Sequence, residues 1–278
     1  MAGNDKSRVV LLTGAAGGLG TVMTLALLKA GHAVAAADRD NAALEKLSAA
    51  SSSYGERFLP LTADVADIAQ CDALTAKTIA HFGRIEGVIN NAGIGPSSLR
   101  PDAEKHHPSI EELTPEVWDR FFAINLRPAL VLMRAVLAPM RKQKWGRIIN
   151  NTTSYRTMLR VLPYGATKSA FESLSAVWAA ELAGSGITVN VLVPGGPTDT
   201  AFVADAAGWK REQMLRPQIM GQPASWLMSD AADSFTGRRI TAAEWDITLD
   251  ADEAAKRASR PIGWPELADQ TAWWPKSQ

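Results

Sequence analysis

Thr13-Gly14-Ala15-Ala16-Gly17-Gly18-Leu19-Gly20 is the stretch that decides the fold. Just before it, Val9–Leu12 is a run of branched apolar residues, the pattern of a buried strand. Just after it, Thr21–Ala30 is patterned as a helix and ends at Gly31. Strand, glycine turn and helix in succession bring free backbone N–H groups and the positive end of a helix dipole to one point. The glycines let a pyrophosphate approach that backbone closely. No Lys-Ser or Lys-Thr follows them, which argues against a P-loop.

Outward from this turn the pattern repeats. Ala33–Ala37, Phe58–Leu61, Gly87–Asn90, Arg147–Asn150 and Ile187–Val193 read as strands, with Arg239–Ala242 as a short seventh. Asn41–Ala50, Ile68–Phe82, Thr114–Met140 and Tyr164–Ala183 read as helices, with Pro128 and Pro139 expected to bend or interrupt the third of these. Further helical segments are expected near Ala201–Met220 and Ala224–Ala231. The alternation predicts an α/β, doubly wound, mostly parallel sheet of about seven strands in three layers. One domain over residues 1–278 is expected. A cleft-side loop would span 95–113, a substrate-side segment 195–222 and a Trp-rich C-terminal extension 250–278.

The 29 Lys and Arg balance the 29 Asp and Glu, so the chain lacks the positive field that nucleic acid binding needs. No apolar run is long enough to suggest a membrane span, and Met1–Arg8 lacks the core of a signal peptide. The lone Cys71 has no motif around it and fits a reducing, cytoplasmic setting. Low net charge favours self-association.

Two features carry chemistry. Asp38 ends the second strand, where a carboxylate accepts hydrogen bonds from adenosine ribose hydroxyls and repels a 2′-phosphate. That favours NAD(H) over NADP(H), although the adjacent Arg39 is of the type that accepts such a phosphate. Tyr164 and Lys168, four apart, share a helical face. A nearby ammonium lowers a phenol's pKa and equips it for proton transfer.

With TGAAGGLG at 13–20, Asp64-Val65, Asn90-Asn91-Ala92-Gly93, Asn125, Asn150-Asn151-Thr152-Thr153-Ser154, YGATK at 164–168 and Pro194-Gly195, the chain resembles the short-chain dehydrogenase/reductase family. The resemblance implies an oxidoreductase acting on a small alcohol or carbonyl compound. Gly14, Gly17, Gly18, Leu19 and Gly20 would hold the cofactor's phosphates, and Asp64 and Val65 would flank its adenine. Asn91, Ala92 and Gly93 would line it, and Pro194, Gly195, Thr198 and Thr200 would wrap its nicotinamide end. Tyr164 would be the acid/base. Lys168 would bind the nicotinamide ribose and tune Tyr164, and Asn125 would hold a water linking Lys168 to solvent. The family's usual serine lies about 13 residues before the tyrosine. Here Thr153 stands 11 before it by strand register, with Ser154 as its neighbour, and either could orient the substrate oxygen.

Arg156 and Arg160 fall in the loop bordering the substrate and suggest a carboxylate or phosphate on it; the plainer reading is solvated surface arginines. His106-His107 lacks a third ligand at zinc spacing, so no metal is expected. Trp245, Trp264, Trp273 and Trp274 suggest packing, with a subunit contact in a homodimer or homotetramer favoured. The rival reading is a non-catalytic NAD-binding sensor or scaffold.

Overall fold

The computed structural model describes residues 6–267. Among them, eight strands form one sheet in the order β3-β2-β1-β4-β5-β6-β7-β8. The strands are β1 (Val9–Thr13), β2 (Ala33–Asp38), β3 (Phe58–Thr62), β4 (Gly87–Asn90), β5 (Gly146–Asn150), β6 (Ile187–Val193), β7 (Arg238–Thr241) and β8 (Ser259–Pro261). The first seven run parallel, and β8 pairs antiparallel with β7. The eighth strand corrects the expectation of seven. It is too short and too charged (Ser-Arg-Pro) for apolar periodicity to reveal it.

Every residue of β1 is buried, because helices cover both faces of the sheet. Val10 and Leu12 face one core with Met23 and Leu27 of α1 (Gly18–Lys29) and Leu44 and Leu47 of α2 (Asn41–Ala50). Trp226 of α8 (Gly221–Leu227) and Ala254 of α9 (Ala251–Arg257) complete that side. Leu11 faces the other core, with Leu74 of α3 (Ile68–Phe82), Leu132 of α5 (Arg127–Gln143) and Phe171 of α7 (Tyr164–Glu181). The strand order reverses direction between β1 and β4. That opens a crevice at the carboxyl ends of the strands, where doubly wound sheets bind ligands.

Several boundaries differ from expectation. The helix after the glycine turn begins at Gly18 rather than Thr21. The expected helix over 114–140 is two: α4 (Pro115–Asn125) and α5, parted at Leu126, with Pro128 in the first turn of α5. Together they make an apolar stretch, Pro115–Gln143, long enough by length and composition alone to cross a membrane, which corrects the expectation that no run approaches that length. In this fold its apolar face, including Phe121, Leu132, Val136 and Met140, is buried in the core. The helix expected near Ala201–Met220 is absent. In its place stand single turns at Asp205–Ala207, Arg211–Gln213 and Pro217–Met220. Gly208 sits at φ +74°, and Arg211 donates to the carbonyls of Thr200 and Val203 that a helix would have used internally.

Trp245 is buried against Trp226 in the chain's own core. Trp264 packs on Tyr155 at 5.7 Å between ring centres. Trp273 and Trp274 lie outside the described residues.

Candidate active site

At the end of β1 the chain turns at Gly14, whose φ of +64° suits glycine, and enters α1. A Cβ on Gly20 would stand 2.0 Å from the carbonyl oxygen of Gly14, so the turn closes only with glycine there. Gly17 caps α1 without a side chain, which leaves the first N–H groups of the helix unanswered by any side-chain cap. A Cβ on Gly18 would meet Thr200 Cγ2 at 2.3 Å, so Thr200 from the far side lies directly against this helix start.

Asp38 does not cap α2; Asp40 does, accepting from Ala43 N. The carboxylate of Asp38 instead accepts from Ala16 N at 3.0 Å and Asp40 N at 3.1 Å, which holds it beside the glycine turn. Asn91 Nδ2 donates to the carbonyls of Thr13 and Gly14 at 3.1 and 3.0 Å, tying β4 to the turn. Its Oδ1 accepts from Asn151 Nδ2 at 2.9 Å, carrying the tie on to the end of β5.

A cavity of about 850 Å³ runs from this turn to the end of β5. All residues expected in the site line it, Arg39, Arg156 and Arg160 included, with Asn125 the one exception. Asn125 is buried behind the wall, its Oδ1 beside Gly93 on the side where Lys168 Nζ also lies. Its Oδ1 accepts from Ile94 N at 2.8 Å, and its Nδ2 donates to Ile94 O and Thr167 Oγ1. The whole amide is committed to bracing the chain just past Gly93.

Tyr164 is buried and lines the cavity with Thr153, whose side chain acts to lower the phenol's pKa. Ser154 is engaged elsewhere. It caps the short helix α6 (Tyr155–Met158), its Oγ accepting from Thr157 N at 3.1 Å and sharing a hydrogen bond with Thr157 Oγ1. The geometry therefore separates two hydroxyls that the sequence left as alternatives. Lys168 is buried and donates from Nζ to Asn151 O at 2.7 Å. Burial lowers its pKa to about 8.

The expected tuning of the phenol is not present in the chain by itself. Burial pushes the Tyr164 pKa up, the Thr153 side chain pulls it down, and the charge of Glu104 pushes it up again. Lys168 Nζ stands 5.8 Å from the ring centre and faces the Asn151 carbonyl. Desolvation wins because no hydrogen bond joins that ammonium directly to the phenol oxygen.

Sequence reasoning missed the frame behind Thr153. Arg239 of β7 donates to the Thr153 carbonyl and, at 2.7 Å, to Glu172 Oε2 of α7. It also donates to Thr152 Oγ1, which in turn donates to Glu172. Both charged groups are buried. Tyr155 stacks under the guanidinium and donates to the Gly263 carbonyl at 3.0 Å. One signal was available: Glu172 follows Tyr164 and Lys168 at a further spacing of four, on the same helical face. Cys71 is buried with its thiol pushed up to about 11, and it takes no part in the site.

The sequence model described as short chain dehydrogenase matches residues 8–211. The chain belongs to the short-chain dehydrogenase family. Within this family of oxidoreductases, the chain is 31% identical over 252 residues to 2-dehydro-3-deoxy-D-gluconate 5-dehydrogenase of Dickeya dadantii, covering 85% of this chain and 94% of that one. It is 30% identical over 247 residues to 2,3-dihydro-2,3-dihydroxybenzoate dehydrogenase of Escherichia coli, covering 82% and 92%. Among solved structures, 3-ketoacyl-(acyl-carrier-protein) reductase from Brucella melitensis in complex with NADH aligns with a TM-score of 0.70 at 27% identity, covering 83% and 94%.

Proposed function

We propose that this short-chain dehydrogenase transfers a hydride between NAD(H) and a secondary alcohol or ketone, with Tyr164 as general acid/base. The observation that carries this reading is that Tyr164, Thr153 and the buried Lys168 line the same cavity as the glycine turn.

The cavity suits a dinucleotide. The first N–H groups of α1 and the Thr200 side chain would hold the pyrophosphate, Asp38 the adenosine ribose, and Asp64 and Val65 the adenine. Asn91, Ala92 and Gly93 would line its path, and Pro194, Gly195 and Thr198 would enclose the nicotinamide end. Lys168 Nζ would reach the nicotinamide ribose. When bound, the oxidised nicotinamide accepts the hydride, and its positive charge favours the phenolate. Tyr164 Oη takes the substrate's hydroxyl proton in oxidation and returns it in reduction. Thr153 Oγ1 orients the substrate oxygen and steadies the charge that develops on it. The Asp38 carboxylate favours NAD over NADP, although Arg39 also lines the cavity.

Arg156 and Arg160 line the cavity, and neither forms an ion pair among the described residues. We assign them to an anionic group on the substrate. The Dickeya and Escherichia relatives are named for a gluconate and a benzoate derivative, both carboxylates, which accords with that assignment. The reading includes a cytoplasmic homodimer or homotetramer, checked by light scattering.

The test is NADH formation with a panel of secondary alcohols, acidic ones included, against both NAD and NADP. Tyr164→Phe is expected to lower kcat by about 10³-fold while NADH binding persists. Cofactor binding without turnover of any substrate would favour the sensor or scaffold instead.

A further inference from the structure

Two side-chain amides join the ends of β4 and β5 in the cavity wall. Asn91 Nδ2 donates to the carbonyls of Thr13 and Gly14 at 3.1 and 3.0 Å. Both partners can only accept, so this amide has one orientation, with Oδ1 turned to Asn151. Asn151 Nδ2 donates to that oxygen at 2.9 Å. The second amide is thereby oriented by the first: its nitrogen faces Asn91, and its oxygen is the end left over. Asn151 Oδ1 is buried and accepts no hydrogen bond among the described residues. The residue as a whole is 9% exposed and lines the cavity, and its N–H donates to the Asn90 carbonyl at 3.0 Å.

A buried acceptor without a donor costs more than an ordinary hydrogen bond returns, so an occupant that supplies a donor is favoured. An amide oxygen takes a hydroxyl or an N–H and repels a phosphate or carboxylate oxygen. Lys168 narrows the choice. Its Nζ donates to the backbone carbonyl of the same Asn151 at 2.7 Å. A Cβ on Gly93 would stand 3.7 Å from that nitrogen, so the ammonium lies at the cavity wall. An ammonium carries three donors, and Asn151 takes one of them. A sugar hydroxyl beside this pair can accept from Lys168 and donate to Asn151 Oδ1 at once, which neither a phosphate nor an aromatic ring can do.

We infer that Asn151 is a cofactor-binding residue whose Oδ1 accepts a hydrogen bond from a hydroxyl of the nicotinamide ribose. The inference rests on the dinucleotide reading above and adds an acceptor beside the Lys168 donor. The same amide ends, through Asn91, on the glycine turn. One bridge of two amides therefore sets the ribose site at a fixed span from the backbone that would hold the pyrophosphate.

The experiment measures the calorimetric affinity of the full chain for ADP, ADP-ribose and NADH. ADP ends at the pyrophosphate, ADP-ribose adds the second ribose, and NADH adds the nicotinamide. The quantity read is the affinity gained from ADP to ADP-ribose, which cancels any effect on the turn that passes through Asn91. Asn151→Leu keeps the size of the side chain and removes its oxygen, and Asn151→Ala repeats the removal without the bulk. Each should cut that gain by about five- to tenfold, the loss of one buried hydrogen bond. Binding of ADP by each variant verifies that it is folded.

An unchanged gain in the two variants, including the case in which ADP and ADP-ribose weaken equally, overturns the inference while leaving the dinucleotide reading intact. A loss seen with NADH and not with ADP-ribose gives the oxygen to the carboxamide and overturns the ribose assignment. Failure of the wild type to bind any of the three removes the dinucleotide reading and the inference together.

Discussion

The two ends of the cavity are built in different ways. At the glycine-turn end, each group sits on or beside the strand that places it. The glycine turn follows β1, Asp38 ends β2, and Asn91 follows β4. Their ties are short-range in space and mostly to backbone: Asp38 to Ala16 N, Asn91 to the Thr13 and Gly14 carbonyls. At the Thr153 end, the chain is held from far along the sequence. Arg239 reaches the Thr153 carbonyl from β7, Glu172 neutralises Arg239 from α7, and Gly263 donates its N–H to Glu172 at 3.3 Å. The first arrangement is cheap in specific contacts because the strand-turn-helix geometry already aims the backbone. The second needs a buried ion pair, which stabilises only if every partner is present.

The largest effect should follow from breaking that pair. Glu172→Gln leaves the Arg239 guanidinium buried among neutral partners, and we expect a loss of about 3–5 kcal/mol in urea unfolding. The double replacement Arg239→Met with Glu172→Leu should cost less than Glu172→Gln alone, because no buried charge is stranded. A trivial effect of Glu172→Gln would erase the contrast between the two ends.

Lys168 offers a second probe. Its pKa is about 8 in the fold against 10.5 for the ordinary side chain, so at neutral pH the folded protein carries a protonation that burial disfavours. Between pH 8 and 10.5 the unfolded chain binds more protons than the folded one, and stability rises with pH across that window. Lys168→Met escapes the penalty of about 3 kcal/mol, so its advantage over wild type, or its reduced deficit, should shift against it by that amount as pH climbs through the window. Thermal melting at pH 7, 8.5 and 10 reads this. A gap that is flat with pH would show that Lys168 is not held as buried as its surroundings indicate.

Thr153 and Ser154 sharpen the comparison within the Thr153 end. Thr153→Ala should lower kcat by about 10²-fold, since it removes the hydroxyl that lines the cavity with Tyr164. Ser154→Ala should cost only about 1 kcal/mol of stability, through loss of the α6 cap, and leave kcat nearly as it was. Steady-state kinetics and melting of the two variants separate the roles, and a reversed pattern would reassign the hydroxyl.

The same contrast explains what could be read from the sequence. The parallel sheet, its first six strands and the gathering of the glycine turn with the strand-end Asp and Asn were legible because each is encoded by a local run: apolar strand, glycine turn, strand-end Asp or Asn. That Tyr164 and Lys168 face the same cavity was legible for the same reason. The surroundings of Thr153 and Ser154 were not. Ser154 Oγ is taken up by Thr157, three residues on, while the Thr153 carbonyl is held by Arg239, which no local pattern connects to it. The partners of Asn125 could not be read from the sequence, because its hydrogen bonds to Ile94 and Thr167 depend on tertiary contact. The segment after β6 was read as helix from composition, yet Arg211 pairs with Asp199 and Asp205 and folds it into turns. Such tertiary pairing overrides weak propensity.

The tie between Gly263 and the Tyr155–Glu172 frame has a consequence for how the molecule is made. Chains are synthesised from the N-terminus, and the early strands can pair as they emerge. The glycine turn needs little beyond residue 93 to take shape, whereas the frame that holds Thr153 lacks Arg239 and Gly263 until synthesis has passed β8. A nascent chain would thus shape the turn at 13–20 long before Thr153 is locked in register. Completion of β8 is the event that finishes the far end of the cavity.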